Sequence, residues 1–419
     1  VLWALAGRAA PPFLALLLRR RVRRGREIAA RLPERRGIDG TPRPGGKLLW
    51  MHAASVGETV SVLAVLAEIA RQAPAVTVLM TTGSVTSAEL LASRLAAMGI
   101  ADRVLHRFVP LDVPAWADRF LDHWRPDAAA FVESELWPNL LAAISIRKIP
   151  LMLLNARLSE TSFRRWQRLP SVAGAVLRHF TAIQARSEAD GRRLAALGGR
   201  NVTAPGDLKF AAEPLPVDAA ELARLQALLE GRPVWLAANT HPGEEVFAIQ
   251  AHALVAASHP RLLTIIAPRH PARGAAIADS VKGVPVTRRA AGQDPPACGL
   301  WIADVLGELG LVYRLTKLAF IGRSLAVGGG QNPLEAARLG CAIAAGPHTD
   351  KQAEAFAALE RVGAVTRVSD AASLAGWVRD LLDHPAELAR QSAAATTVAA
   401  GWSDLPARSA AALIGLLHG

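Results

Sequence analysis

Short apolar runs alternate along this chain with stretches whose apolar side chains recur every three or four positions. "KLLWMHAA", "VTVLMTTG", "DAAAFVES", "PLMLLNARL" and "TAIQARS" read as strands in the first half. "ETVSVLAVLAEIARQ", "SAELLASRLAAMG", "WPNLLAAISIRK" and "SFRRWQRL" read as the helices between them. The alternation stops at 211–221, "AAEPLPVDAAE", where prolines and acids mark a linker. It restarts with "PVWLAANT", "RLLTIIAPRHP", "GLWIADV", "KLAFIGRS", "CAIAAGP" and "AVTRV" as strands. Near-continuous apolar strands separated by helices imply parallel sheets covered on both faces. The pattern therefore predicts an α/β chain with two Rossmann-like domains, 37–210 and 222–419, behind a terminal segment 1–36. The last helices are free to pack back on the first domain. Two doubly wound halves facing each other leave a cleft at the carboxyl ends of their strands, where ligands bind in such folds.

Composition supports this class. The 419 residues suit two or three domains, and 51% are hydrophobic, enough for more than one core. Aromatics are only 5%, so Ala, Leu and Val dominate, against an aromatic-rich β-sandwich. Cys298 and Cys341 stand far apart without metal-type spacing, which excludes a disulfide framework and fits a reducing cytosol.

Charge changes the picture at one end only. The net charge is +12, of which residues 1–36 carry +8 and the other 383 residues +4. No basic groove runs over a domain, so nucleic acid is not an expected partner. The terminus "VLWALAGRAAPPFLALLLRRRVRRGR" is an apolar run, interrupted by Arg8, Pro11 and Pro12, followed by arginines. A signal peptide has the opposite order, and the prolines weaken a single span. The segment reads as an anchor at the cytoplasmic face, its apolar residues in the interface and its arginines on anionic headgroups. The other reading is a basic first helix packed on the body.

Polar clusters fall where the expected strands end. In "LLWMHAASVGETVSVL" the strand ends near Ala54, Ser55 to Gly57 turn, and Glu58 opens a helix. A carboxylate there either caps the helix and complements its dipole or serves as a general base for an acceptor hydroxyl. "AAAFVESELWPN" repeats the arrangement with Glu133 and Glu135, poorly solvated carboxylates that need donors. Pairing with Arg157 of "LNARLSE" is the structural reading of those acids. "GDLKF" puts Lys209 just before the linker, as either a solvated lysine or an anion-binding one.

In the second half "IIAPRHPAR" places Arg269 and His270 at a strand end, and "VLGELGLVYRL" puts Gly307 and Glu308 at a helix start. "GGGQNPLEAARLG", 328–340, follows the strand "LAFIGRS". Its glycines allow close backbone approach, and a helix beginning near Asn332, with Pro333 in its first turn, offers its positive end. Glu335 suits two ribose hydroxyls better than a bare phosphate, so the loop fits a nucleotide; the alternative is a loop that only closes a β–α unit. The chain has no Asp-x-Asp and no His-x-x-x-His, the usual ligands of a metal-bridged diphosphate site. No metal and no cofactor are expected, and His241 of "ANTHPGEE" reads as a hydrogen-bonded residue.

"HAASVGE", "ESELWPN", "NARLSE", "GDLKF", "THPGEE", "PRHP", "LGELG" and "GGGQNPLEAARLG…GPH" stand in one order over nearly the whole chain. In this it resembles the bacterial Kdo transferases, which move 3-deoxy-D-manno-octulosonic acid (Kdo) from CMP-Kdo onto the lipid A precursor, lipid IVA. The resemblance implies a metal-independent GT-B glycosyltransferase of lipopolysaccharide synthesis on the cytoplasmic side of the inner membrane. It implies an N-terminal acceptor domain and a C-terminal CMP-Kdo domain. It also implies Glu58 as catalytic base, assisted by Glu133 or Glu135 and by Lys209. Pro268, Arg269 and His270, Leu306, Gly307 and Glu308, and Asn332, Pro333, Leu334 and Glu335 would hold CMP.

The chain departs from the family's pattern at several positions. Arg323 of "GRSL" stands where the family usually has glycine, and Gln331 where it has His; Asn239 and Pro242 replace a usual Ser and Glu. The implied chemistry is loss of CMP from Kdo with oxocarbenium character on the sugar, and in-line attack that inverts the anomeric centre. The rival is a GT-B transferase or epimerase using UDP-sugars. A non-catalytic membrane or nucleic-acid binder driven by the arginines leaves the strand-end acids without a role.

Overall fold

The computed structural model describes residues 7, 10–211, 214–326 and 328–418. It divides into two compact units, Val1–Ala212 with Ser403–Gly419, and Glu213–Trp402. Residues 1–6, 8 and 9 of the terminal apolar run, and Ala212 and Glu213 of the expected linker, lie outside the described residues.

In the first unit the strands are β1 (Leu48–Ala53), β2 (Thr77–Thr82), β3 (Val104–Phe108), β4 (Ala128–Val132), β5 (Leu151–Ala156), β6 (Ala182–Ala185) and β7 (Val202–Thr203). Among the described residues they form one parallel sheet in the order β3-β2-β1-β4-β5-β6-β7. The chain lays β2 and β3 on one side of β1, then crosses to β4 on the other. That reversal opens a crevice at the carboxyl ends of β1 and β4. β1, β4 and β5 are buried along their whole length, which explains their uninterrupted apolar sequences. Trp50 anchors the core against Phe120 and Phe131, with ring centroids 4.8 and 5.0 Å away, and its indole N–H donates to Thr81 Oγ1 at 2.9 Å. The expected helix "ETVSVLAVLAEIARQ" breaks at Val62 into Val56–Ser61 and Leu63–Gln72. The closing helix Leu405–Leu416 packs on Leu63–Gln72, with Gln72 Nε2 donating to the Ala407 carbonyl at 3.2 Å.

Pro11 and Pro12 open the helix Pro11–Arg23, at the turn where proline's missing N–H costs nothing. Part of the basic segment is tied to the body: buried Arg35 pairs with Glu27 at 3.1 Å and donates to the Gly83 carbonyl at 2.7 Å. Among the described residues no helix is long and apolar enough to cross a membrane.

In the second unit the strands are β8 (Val234–Thr240), β9 (Leu263–Pro268), β10 (Val286–Arg288), β11 (Gly299–Ile302), β12 (Leu318–Ile321), β13 (Ala342–Ala345) and β14 (Val365–Arg367). The order β10-β11-β9-β8-β12-β13-β14, again parallel, puts the reversal between β8 and β12. Trp235, Phe320, Leu374 and Trp377 fill its core. β3, β7 and β10, which the apolar pattern does not single out, are half-buried strands at sheet edges.

Candidate functional site

The carboxyl ends of β1 and β4 bring three carboxylates together. Ser55 caps the helix Val56–Ser61 by accepting from the Glu58 N–H at 3.3 Å. Glu58 returns the favour: Oε1 accepts from the Ser55 hydroxyl at 2.8 Å and Oε2 from the Ala54 N–H at 2.7 Å. Capping and a place in the acid cluster therefore coincide at Glu58. Burial pushes its carboxyl above the ordinary value, and repulsion from Glu135 and Glu133 adds to this against the bonds from Ser55 and Ala54.

The two acids after β4 are held differently. Glu135 Oε2 accepts from the Trp137 indole at 2.5 Å and lies 3.5 Å from Nε2 of His52, a buried residue of β1. Burial works against the Glu135 charge, but the close approach of His52 and the bond from the Trp137 N–H outweigh it and hold the carboxyl below its ordinary value. His52 is itself fixed through Nδ1, 3.0 Å from Thr81 Oγ1. Glu133 adopts φ 59°, a left-handed conformation uncommon outside glycine. Its Oε1 meets Lys209 Nζ at 2.6 Å.

Lys209 is positioned by a buried amide. Asn155, at φ 53° in β5, donates from Nδ2 to Asp207 Oδ1 at 3.0 Å and accepts the Leu208 N–H at 3.0 Å. The same Asp207 oxygen accepts the Lys209 N–H at 3.0 Å. The expected alternative of Arg157 pairing with Glu133 or Glu135 does not occur. Arg157 is exposed, and among the described residues it engages through its backbone, its N–H donating to the Glu133 carbonyl at 3.3 Å and its carbonyl accepting from Ser134 at 2.7 Å.

In the second unit Pro268, Arg269, Leu306, Gly307 and Glu308 line one pocket with Asn239. Gly307 needs its φ of 90°, which a side chain rarely adopts. Leu306 is 83% exposed, an apolar surface available to a flat ring. The Glu308 carboxylate is taken by Arg289 at 2.9 and 3.0 Å, so it fixes the loop. His270 lies outside the pocket lining, its ring edge-on to His241 at 5.9 Å.

The glycine loop follows β12. The helix after it is Leu334–Arg338, five residues long, so Asn332 and Pro333 precede it instead of opening it. Asn332 Oδ1 accepts the Leu334 N–H at 3.0 Å. Burial raises the Glu335 carboxyl, offset in part by Arg338, Arg269 and a bond with Asn332. Glu335 and Arg269 thus share one field. Buried Glu244 holds the loop's start, accepting from the N–H groups of Arg323, Ser324 and Leu325 at 2.6, 2.9 and 3.0 Å and of His241 at 2.9 Å. Gln331 Nε2 donates to His241 Nε2 at 3.2 Å. Burial, Arg323 and His270 lower the pKa of His241 against the pull of Glu244 and Glu245, leaving a neutral ring able to accept that bond.

His52, Trp137, Asn155, Asp207 and Glu244 are not singled out by the sequence reading. Four of them stand inside the quoted motifs "HAASVGE", "ESELWPN", "NARLSE" and "GDLKF", and Glu244 in "THPGEE", but only the contacts show what each holds.

Residues 30–212 match the family described as 3-deoxy-D-manno-octulosonic-acid transferase (kdotransferase). The chain is 32% identical to 3-deoxy-D-manno-octulosonic acid transferase of Bordetella pertussis over 98% of both chains. It is 32% identical to that of Haemophilus influenzae over 82% of this chain and 81% of the relative. Among solved structures it resembles UDP-GlcNAc 2-epimerase from Neisseria meningitidis, with TM-score 0.58 and 16% identity over 89% of this chain and all of that one. A glycosyltransferase from Rickettsia africae aligns with TM-score 0.57 and 12% identity over 89% and 99%. At those identities the likeness is one of fold, the GT-B arrangement of two Rossmann-like sheets.

Proposed function

This chain belongs to the 3-deoxy-D-manno-octulosonic acid transferase family of glycosyltransferases, and from that premise we propose that it moves Kdo from CMP-Kdo onto the lipid A precursor, lipid IVA. Glu58 acts as the general base. The observation that carries this assignment is how differently the three acids of the first unit are held. Glu135 is kept charged by His52 and Trp137, and Glu133 is paired with Lys209. Glu58 is pushed toward holding a proton. Groups in one site whose environments push their pKa values apart divide the acid and base roles. Ser55 and Ala54 fix the Glu58 carboxylate while leaving lone pairs for a sugar hydroxyl.

The second unit binds the donor. Leu306 and Gly307 receive the base, Glu335 accepts from the ribose hydroxyls, and Arg269 offsets the charge that grows on the departing CMP phosphate. Lys209 and Glu133 assist in the first unit. Attack by the acceptor oxygen opposite the leaving CMP forms the new glycosidic bond as the sugar–phosphate bond breaks, inverting the anomeric centre. The acceptor's hydroxyl proton passes to Glu58. The reaction takes place at the cytoplasmic face of the inner membrane, to which the basic terminal segment holds the protein.

The test is donor choice. With a tetra-acylated lipid A precursor, CMP-Kdo should yield a product heavier by Kdo in mass spectrometry, and UDP-GlcNAc none. Transfer or epimerisation with UDP-GlcNAc, and none with CMP-Kdo, overturns the proposal.

A further inference from the structure

Arg323 stands in a conformation that suits another residue. Its φ is 59°, in the left-handed region that glycine enters freely and arginine does not, directly after β12 at the sheet's reversal point. Strain of this kind persists where the surroundings over-determine it, and it clusters at functional sites. The over-determination is visible: the Arg323 N–H is held by Glu244 at 2.6 Å, and its carbonyl accepts the Gly330 N–H at 2.8 Å. Its side chain lies along Gly328, where an added Cβ would come within 2.8 Å of Nε, and the Lys351 stem lies equally close over Gly329. A side chain at 328 would have to push the Arg323 stem aside, and Gly329 also needs glycine for its own φ of 89°. Among the described residues the Arg323 guanidinium has no hydrogen bond or ion pair. A half-buried guanidinium carried on a strained backbone position is thereby available to an anionic ligand.

We infer that Arg323 binds the carboxylate of the donor sugar. The inference rests on the donor reading above. Such a donor carries two negative groups, the phosphodiester and the carboxylate beside the anomeric carbon. The second unit has a separate cation for each. Arg269 lies after β9, in the field of Glu335, with the nucleotide pocket. Arg323 lies after β12, and the order β9-β8-β12 separates the two by two strand spacings, about 10 Å. A guanidinium fork matches a carboxylate in two parallel bonds. Arg323 thereby discriminates for acidic sugars: a donor whose sugar is neutral leaves it unpaired.

Arg323→Gly removes the guanidinium and installs the residue that φ 59° favours. Its melting temperature should equal or exceed that of the unaltered chain. The KM for CMP-Kdo should rise at least tenfold, while the Kd for CMP, which has no sugar carboxylate, changes less than twofold. Arg323→Lys should recover part of the KM. An unchanged KM in Arg323→Gly, with the unaltered chain turning over CMP-Kdo, overturns the Arg323 assignment and leaves the transferase reading standing. An equal loss of CMP affinity places Arg323 on the phosphate and overturns it too. No turnover of CMP-Kdo by the unaltered chain overturns both.

Discussion

Lys209 Nζ stands 2.6 Å from Glu133 Oε1, joining a turn before the unit boundary to the left-handed residue that ends β4. The lysine side chain is 42% exposed and the glutamate 12%, so the pair is too wet to contribute much to stability. Its placement is nevertheless expensive. Asn155 and Asp207 commit three hydrogen bonds to the turn that carries Lys209. A chain that needed only a surface ion pair would not require a buried amide beneath it.

Lys209→Ala separates the two roles. Thermal unfolding should show a loss of no more than about 1 kcal/mol, the range for exposed pairs. Transfer should fall by about 10²–10³-fold, as when one charge-stabilising donor is removed from an active site. Near-normal transfer assigns the pair to the fold alone.

Glu335 should report on the nucleotide. Glu335→Ala should weaken CMP binding by about 1.5–3 kcal/mol in calorimetry, the range for hydrogen bonds involving a charged group. Burial raises its carboxyl, so on acidification the group loses its charge above the ordinary value of 4.5. CMP affinity of the unaltered chain should therefore start to fall before pH 4.5 is reached, and Glu335→Gln should lack that limb. Unchanged affinity in Glu335→Ala, with the fold intact, removes Glu335 from the ribose.

The terminal segment should act as a membrane anchor. Phe13 and Leu16 are 67% and 66% exposed on Pro11–Arg23, ahead of the arginine run. Removing residues 1–24 leaves the buried Arg35–Glu27 pair in place. The truncated protein should stay in the supernatant when anionic vesicles are sedimented, yet turn over detergent-dispersed acceptor. Sedimentation with the vesicles locates the anchor elsewhere.

What the sequence showed of all this depended on burial and on local contact. Strands such as β1 and β4 are covered on both faces, and their unbroken apolar runs announce them; the edge strands β3, β7 and β10 have no such run. Glu58, Glu133 and Glu135 were legible because each lies within five residues of the end of a buried strand, in the turn or helix start that follows it. Their division of labour was not, because it depends on contacts distant in sequence: His52 meets Glu135 across two strands, and Lys209 meets Glu133 from a turn. Asn155 read as the end of an apolar run, and only its bonds to Asp207 and Leu208 show its positioning role. For Glu308, placed among the CMP residues by the resemblance, nothing in the sequence signalled the bonds from Arg289 that fix its carboxylate.

The most direct test of the account is the transfer rate of Glu58→Gln from CMP-Kdo to the lipid A precursor, with melting temperature measured on the same sample. Glutamine keeps the shape and can still accept one of the two bonds from Ser55 and Ala54. Because the fold raises the Glu58 pKa, ionised Glu58 costs stability above its ordinary value of 4.5, and the neutral amide removes that cost. Lost capping and relieved repulsion oppose each other, so the melting temperature at pH 7 should change little. Transfer should fall by about 10²–10⁴-fold, the contribution of a general base, with CMP affinity unaltered. Turnover near that of the unaltered chain contradicts the account and leaves Glu58 as a helix cap.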